Sequence, residues 1–368
     1  MYKTISPKAV CIVSVLFYIA NAYILGNDRI AGRNSWLCVA LAALSFLPVF
    51  LLFAYLSVHY PGKDFFEILE AVFGKTVRKI LAAVYAVYGI VLLSMSFDCF
   101  ARFVSTNILP DTPKYVMATA IALCCTYLVA KGTVVLGKWA SFVLPVVLLF
   151  ILVSLLGSVP SLHPEYLLPV AENKKDVLLG TYRYLSLPFG EPLVLFSLLS
   201  CVRGKFRLRH WLIPWFLAAL ILSLSFARDT MVLGGSLSGI LSFSTNHADS
   251  VSGYMNFEQR TEVLTSLIPA AAGIMEAAVS LLFVSQGIHA VLEKQSARVC
   301  VFSGVLAGLL LCFFAYQSDR ILEVRDMIWP VISVFLQIIF PLAAVIAGAA
   351  KSGMRRKILA RRLKRQIM

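Results

Sequence analysis

The sequence predicts an all-α integral membrane protein of about ten transmembrane helices, arranged as a five-plus-five inverted-repeat, transporter-like bundle with broken first and sixth helices. Three observations carry that reading: an extreme apolar composition, apolar blocks of membrane-spanning length, and basic residues that collect in alternate loops. Of the 368 residues, 60% are hydrophobic and 14% charged, against about half apolar and a quarter charged in soluble domains. At about 1.5 Å per residue, blocks such as 35–58 and 134–159 cross a hydrocarbon core of about 30 Å.

Taken in order, the blocks give spans near 8–26, 35–58, 79–107, 114–130, 134–158, 185–202, 211–241, 264–291, 297–317 and 327–350. The first follows Lys3 and Lys8 but has no small-residue cleavage site and runs into Asn27-Asp28-Arg29, so it reads as a mature helix and not a secretory signal. Between the second and third spans, His59 to Phe73 is amphipathic, with Phe65, Phe66, Leu69 and Phe73 on one side.

Orientation follows from the basic residues, which are held on the cytoplasmic side of span ends. With the N-terminus inside, cytoplasmic segments hold 22 Lys and Arg, outer loops hold 9, and Arg102 and Arg228 lie within spans. Acids are distributed the other way, 4 inside and 11 outside, with 4 in spans. An even number of crossings fits every loop, so both termini of this multi-pass protein are expected in the cytoplasm.

The net charge of +14 therefore reports topology, and no nucleic-acid partner is expected: the aromatic residues lie in spans and do not interleave with the basic clusters. The tail 351–368 carries eight Lys and Arg and no acid, with Leu359, Leu363 and Ile367 at helical spacing. It is expected to lie on anionic membrane lipid. All eight cysteines fall in spans as small packing residues. There is no P-loop, zincin helix or nucleophile elbow, so the chain is not expected to be an enzyme, and no cofactor, metal or catalytic residue is assigned.

Residues 1–350 read as a single membrane domain, with inverted repeats over about 8–158 and 185–350. The halves start on opposite sides of the membrane, as inverted-repeat transporters require, and in such folds the first helix of each half is broken at mid-membrane. In the sixth span, Leu187-Pro188-Phe189-Gly190-Glu191-Pro192 places two prolines and a glycine within five residues, which removes helical hydrogen bonds. The matching segment of the first span is Asn21-Ala22-Tyr23 followed by Gly26-Asn27-Asp28.

Seven short motifs in order carry a resemblance over nearly the whole chain. They are Ser6-Pro7, Asn34-Ser35-Trp36-Leu37, Tyr60-Pro61-Gly62-Lys63, Phe73-Gly74-Lys75, Leu109-Pro110-Asp111-Thr112-Pro113, Leu167-Leu168-Pro169 and Pro188-Phe189-Gly190-Glu191. In these the sequence resembles the permease-like B-subunit family of spore germination receptors, within the amino acid–polyamine–organocation transporter superfamily. The resemblance implies a subunit of a bacterial cell or spore inner membrane that senses a small nutrient, commonly an amino acid, beside A-type and C-type subunits. The first span departs from the family pattern at Ala20 to Arg29, where relatives carry a small-residue stretch followed by a hydrophobic run and a proline.

Ionisable side chains at membrane depth cost about 2.5–3.5 kcal/mol each on insertion scales, so they face the bundle interior or a wet cavity. Asp98 and Arg102 are four apart and stack on one helical face, as a structural ion pair or a ligand-facing gate. Arg228 and Asp229 read as interfacial anchors near the outer end of the seventh span. Glu191 lies in the helix break, and Glu276 has no charged neighbour within four residues, so its partner must come from another span or from a cavity. The substrate-binding candidates are Asn21, Ala22, Tyr23, Asp98, Pro188, Phe189, Gly190, Glu191 and Glu276. Such a pocket suits a zwitterionic amino acid, its carboxylate at a half-helix N-terminus and its ammonium near a carboxylate such as Glu191. Three functions are expected in order: a nutrient-sensing receptor subunit, a secondary amino-acid transporter coupled to H⁺ or Na⁺, and a non-binding scaffold of the receptor complex.

Overall fold

In lipid every backbone polar group must be satisfied within the protein, and a chain this apolar meets that demand with helices. The computed structural model describes residues 4–204, 206–252, 258–293, 295–316 and 318–367. The side chains of Asn21, residues 258–264, Asp319, Arg320, Glu323, Asp326 and residues 349–367 lie outside the described set, and with them those of the basic tail.

The helices are α1 (Pro7–Leu25), α2 (Ser35–His59), α3 (Phe65–Phe73), α4 (Lys75–Asn107), α5 (Lys114–Lys131), α6 (Thr133–Gly157), α7 (Lys174–Ser186), α8 (Arg209–Leu233), α9 (Leu237–Ile240), α10 (Ser244–Val251), α11 (Glu258–Leu292), α12 (Ala297–Ala315) and α13 (Asp319–Ile367). A 3₁₀ segment, Val194–Cys201, follows α7. Local chemistry sets several starts. The Ser6 hydroxyl accepts from Ala9 N–H at the head of α1, and Asp64 and Glu67 form a reciprocal capping box on α3.

Among the described residues nine helices are long and apolar enough to cross a membrane. The sixth expected span is not one of them, because it is broken. Pro188 and Pro192 lack an N–H, so α7 stops at Ser186 and the chain resumes only as the tighter 3₁₀ turn. The two pieces still cross the bundle. At one end the Ala171 N–H donates to Asn34 Oδ1 (3.1 Å), beside the start of α2. At the other, Ile5 N–H donates to Cys201 O (2.8 Å) and Arg203 N–H to Ile5 O (2.9 Å), beside the start of α1. That brings the crossings to ten.

The first helix differs from expectation. α1 runs unbroken from Pro7 to Leu25, through Asn21-Ala22-Tyr23. Between Val10 and Leu25 there is neither proline nor glycine to interrupt it. Gly26 is the first residue to leave the helix, at φ +69°, and a Cβ there would lie 2.3 Å from Ser244 Oγ.

α11 is the centre of the bundle and packs against α1, α4, α5, α6 and α12. Small residues let these helices approach: Gly89 meets Val284 and Phe283, and Gly308 meets Leu93 and Phe97. Outward-facing Phe142, Phe302 and Phe314 are 75%, 68% and 77% exposed, the surface that a hydrocarbon solvent would cover.

Candidate functional site

From Pro188 to Pro192 the broken segment is buried. Phe189 packs against Trp215, with ring centroids 4.8 Å apart, and Trp215 in turn stacks on Phe50 at 4.1 Å. Gly190 is forced by its own backbone: a Cβ would stand 2.4 Å from Leu185 O and 2.9 Å from Ser186 O. Carbonyls freed by the break find partners on other helices. Gln286 Nε2 on α11 donates to Ser197 O at 2.8 Å, and Ser333 Oγ on α13 approaches Gly190 O at 3.5 Å.

Glu191 follows, 2% exposed, and its Oε1 has no hydrogen-bond partner. It lies within electrostatic reach of Glu276, Tyr18 and Tyr88. Glu276 accepts from Ser96 Oγ on α4 at 2.7 Å, so its partner does come from another span. Two acids are thus buried together where the sixth span is broken, a place where a cation, a proton or an ammonium group is favoured.

Next to the break, a cavity of about 420 Å³ opens between the end of α1, α4, α7, the α9–α10 segment and the start of α13. Ser186 and Leu187 line it from the break, Asp28 and Arg29 from the turn after α1, and Trp329 and Pro330 from α13. Most of its charges are paired, within α4 and between elements. Arg102 Nε donates to both oxygens of Asp98 (2.8 and 2.9 Å), and Arg325 Nη1 reaches Asp98 Oδ2 at 3.3 Å. Arg102 Nη2 also donates to Tyr316 O (3.1 Å), and the Arg325 guanidinium stands 5.0 Å over the Tyr316 ring. Arg183 Nη1 pairs with Asp28 Oδ2 at 2.7 Å. Among the described lining side chains, Arg29, Arg102, Arg183 and Arg325 outnumber Asp28 and Asp98.

The sequence-derived candidates therefore divide into three places. Asp98 lines the cavity. Pro188, Phe189, Gly190 and Glu191 lie beneath it with Glu276 and do not line it. Ala22 is core, its carbonyl accepting from Gly26 N–H at 3.0 Å, while Tyr23 points to a separate buried polar cluster. The side chain of Asn21 is outside the described set.

That cluster corrects the reading of Arg228 and Asp229 as interfacial anchors. They are 2% and 0% exposed, held with Asp249 of α10, Ser154 of α6 and Thr245 of α10. Asp28, Arg183, Asp249 and Arg325 were missed because each reads as an ordinary loop charge.

The profile of the family described as spore germination protein matches residues 4–320. Spore germination protein KB of Bacillus subtilis (strain 168) is 21% identical over 366 residues, covering 96% of both chains. Among solved structures, the nucleobase-cation-symport-1 transporter Mhp1, closed with bromovinylhydantoin bound, superposes with TM-score 0.58 at 14% identity, over 88% of this chain and 75% of that one. A Na⁺-coupled sialic acid symporter, substrate-bound and outward-open, gives TM-score 0.56 at 11% identity, over 91% and 79%. At such identities the structures speak for the fold alone, a transporter-type helical bundle, whereas the profile covers most of the chain: this multi-pass membrane protein belongs to the spore germination protein family.

Proposed function

We propose that this chain is the permease-like subunit of a germinant receptor, which binds a small nutrient of the amino-acid class and signals to A-type and C-type partner subunits. The observation that carries the reading is the cavity of about 420 Å³ that ends on the broken segment at Ser186 and Leu187. Its volume is in the range of small-molecule pockets, about 300–1,000 Å³. The arginine excess suits a carboxylate, and the buried Glu191 and Glu276 beneath suit an ammonium group. The face that holds the start of α1 and the basic tail is the cytoplasmic one, with the tail on anionic lipid, and the cavity opens toward the other side.

The test is to make Arg325→Gln and Glu191→Gln separately, confirm that each protein reaches the membrane, and measure amino-acid binding and nutrient-triggered germination. Both variants are expected to lose response; parent-like response in both places the ligand elsewhere. Gly190→Val is a poor probe of the pocket, because any side chain at 190 strikes the Leu185 carbonyl before it fills space. The fold shared with symporters supports a second reading, coupled transport. Uptake of a labelled amino acid by proteoliposomes would establish it, and binding without uptake favours the receptor. A chain that neither binds nor transports would be the scaffold of the complex.

A further inference from the structure

Six side chains from four helices form a polar cluster inside the bundle: Tyr23 on α1, Ser154 on α6, Arg228 and Asp229 on α8, and Thr245 and Asp249 on α10. None is more than 5% exposed. Arg228 is shared: Nη1 donates to Asp249 Oδ1 (2.8 Å), Nη2 to Ser154 Oγ (2.8 Å), and Nε is 3.2 Å from Asp229 Oδ1. Ser154 Oγ donates to Asp249 Oδ1 (2.6 Å) and Thr245 Oγ1 to Asp229 Oδ2 (2.6 Å). One guanidinium thus faces two carboxylates among the described side chains, leaving one negative charge in excess.

Asp229 Oδ1 and Asp249 Oδ2 both lack a hydrogen-bond partner, but of the two residues Asp249 alone lines a cavity, of about 10 Å³, near the volume of one water-sized sphere. The oxygen-bearing residues Tyr23, Thr245, Asn246 and Thr265 line the same cavity. Two buried carboxylates that share one guanidinium are disfavoured unless a further positive charge joins them. The donors are hard oxygens, and among the described residues no group of three or more His, Cys, Asp or Glu side chains forms a multivalent-metal site.

We infer that Asp249, with Tyr23, Thr245, Asn246 and Thr265, forms a binding site for one dehydrated monovalent alkali cation of the size of Na⁺. The site is independent of the nutrient cavity but touches it through Phe243, which lines both. A bound cation draws α10 onto α1, and the residues that precede α10, Gly239 to Phe243, form one wall of the nutrient cavity.

The experiment is thermal unfolding of the purified full-length protein, with NaCl titrated against N-methyl-D-glucamine chloride at constant ionic strength and pH, together with binding of radiolabelled sodium. The expected result is a saturable rise in Tm with Na⁺ and one bound ion per chain, both lost in Asp249→Asn and retained in Asp111→Asn, at an exposed position. Tyr23→Phe removes one neutral oxygen; it is expected to fold and to need several-fold more Na⁺, which serves if Asp249→Asn does not reach the membrane. Absence of a saturable Na⁺ effect, or one unchanged in Asp249→Asn or in Tyr23→Phe, overturns the site. So does Asp249→Asn with parental stability in sodium-free buffer and no sodium bound by the parent, because the position then holds a proton.

Discussion

Arg183 Nη1 lies 2.7 Å from Asp28 Oδ2, and this pair ties α7 to the turn that follows α1. The two residues are not equivalent. Asp28 Oδ1 also accepts from the N–H groups of Ile30 and Ala31, at 2.9 and 3.0 Å, so the carboxylate organises its own turn. Asp28→Ala is expected to cost about 1–2 kcal/mol, as loss of a capping side chain does. Arg183→Ala should cost about 0.2–1 kcal/mol, the range of a partly exposed pair. In denaturant titrations of the detergent-solubilised protein the double variant should match Asp28→Ala alone; equal single losses would show that the turn bonds add nothing.

Gly190→Ala tests whether the break is held by backbone geometry. A methyl group would meet two carbonyl oxygens at 2.4 and 2.9 Å, so the segment must shift, at about 1–3 kcal/mol or more. Gly157, at the end of α6, has open space around its Cβ position. Gly157→Ala is expected to be neutral, or to stabilise by up to about 1 kcal/mol. The melting temperature of Gly190→Ala should fall below that of the parent, and that of Gly157→Ala should lie at or above it.

Asp98 is 6% exposed and bonded to two arginines. Either Arg102→Gln or Arg325→Gln leaves one cation in place, whereas the double variant strands a buried charge, at about 3–5 kcal/mol. Adding Asp98→Asn to the double variant should recover much of that loss. A triple variant as unstable as the double one would mean that the arginines act through packing on Tyr316.

On the face where α4 starts, Glu293 is bonded to Lys79 at 3.2 Å and lies 3.5 Å from Lys75 and 2.5 Å from Arg78. The Lys79 bond, with the positive charge of Lys75 and Lys79, holds its carboxyl below the ordinary value of 4.5. A carboxylate with a depressed folded value stabilises the fold above its unfolded value and loses that contribution as pH falls through the folded one. The difference in Tm between the parent and Glu293→Gln should therefore be constant near neutral pH and vanish on acidification below about 4.5. It should also shrink in high salt. A difference that persists in acid would show that Glu293 acts by shape and not by charge.

The sequence by itself determined whatever is decided within a few residues of the chain. Lys and Arg periodicity and apolar length located the ten crossings. Pro188 and Pro192 announced the break in the sixth, since a missing N–H is a property of the residue. The Asp98–Arg102 pair was legible because i and i+4 share a face of any helix. The same local reasoning explains the miss in α1: polar Asn21 and Tyr23 interrupt apolarity without removing a hydrogen bond, so the helix continues to Gly26.

Only the tertiary structure decided which distant charges meet. Arg325 joins Asp98 across 227 positions, Ser96 joins Glu276 across 180, and Asp249 is drawn under Arg228 by the fold of α10. Nothing in the local sequence distinguishes Arg325 or Asp249 from a loop charge. Their pairing is set by which helix faces pack together, because a low-dielectric interior makes each buried charge depend on a partner that only close packing brings within about 3 Å.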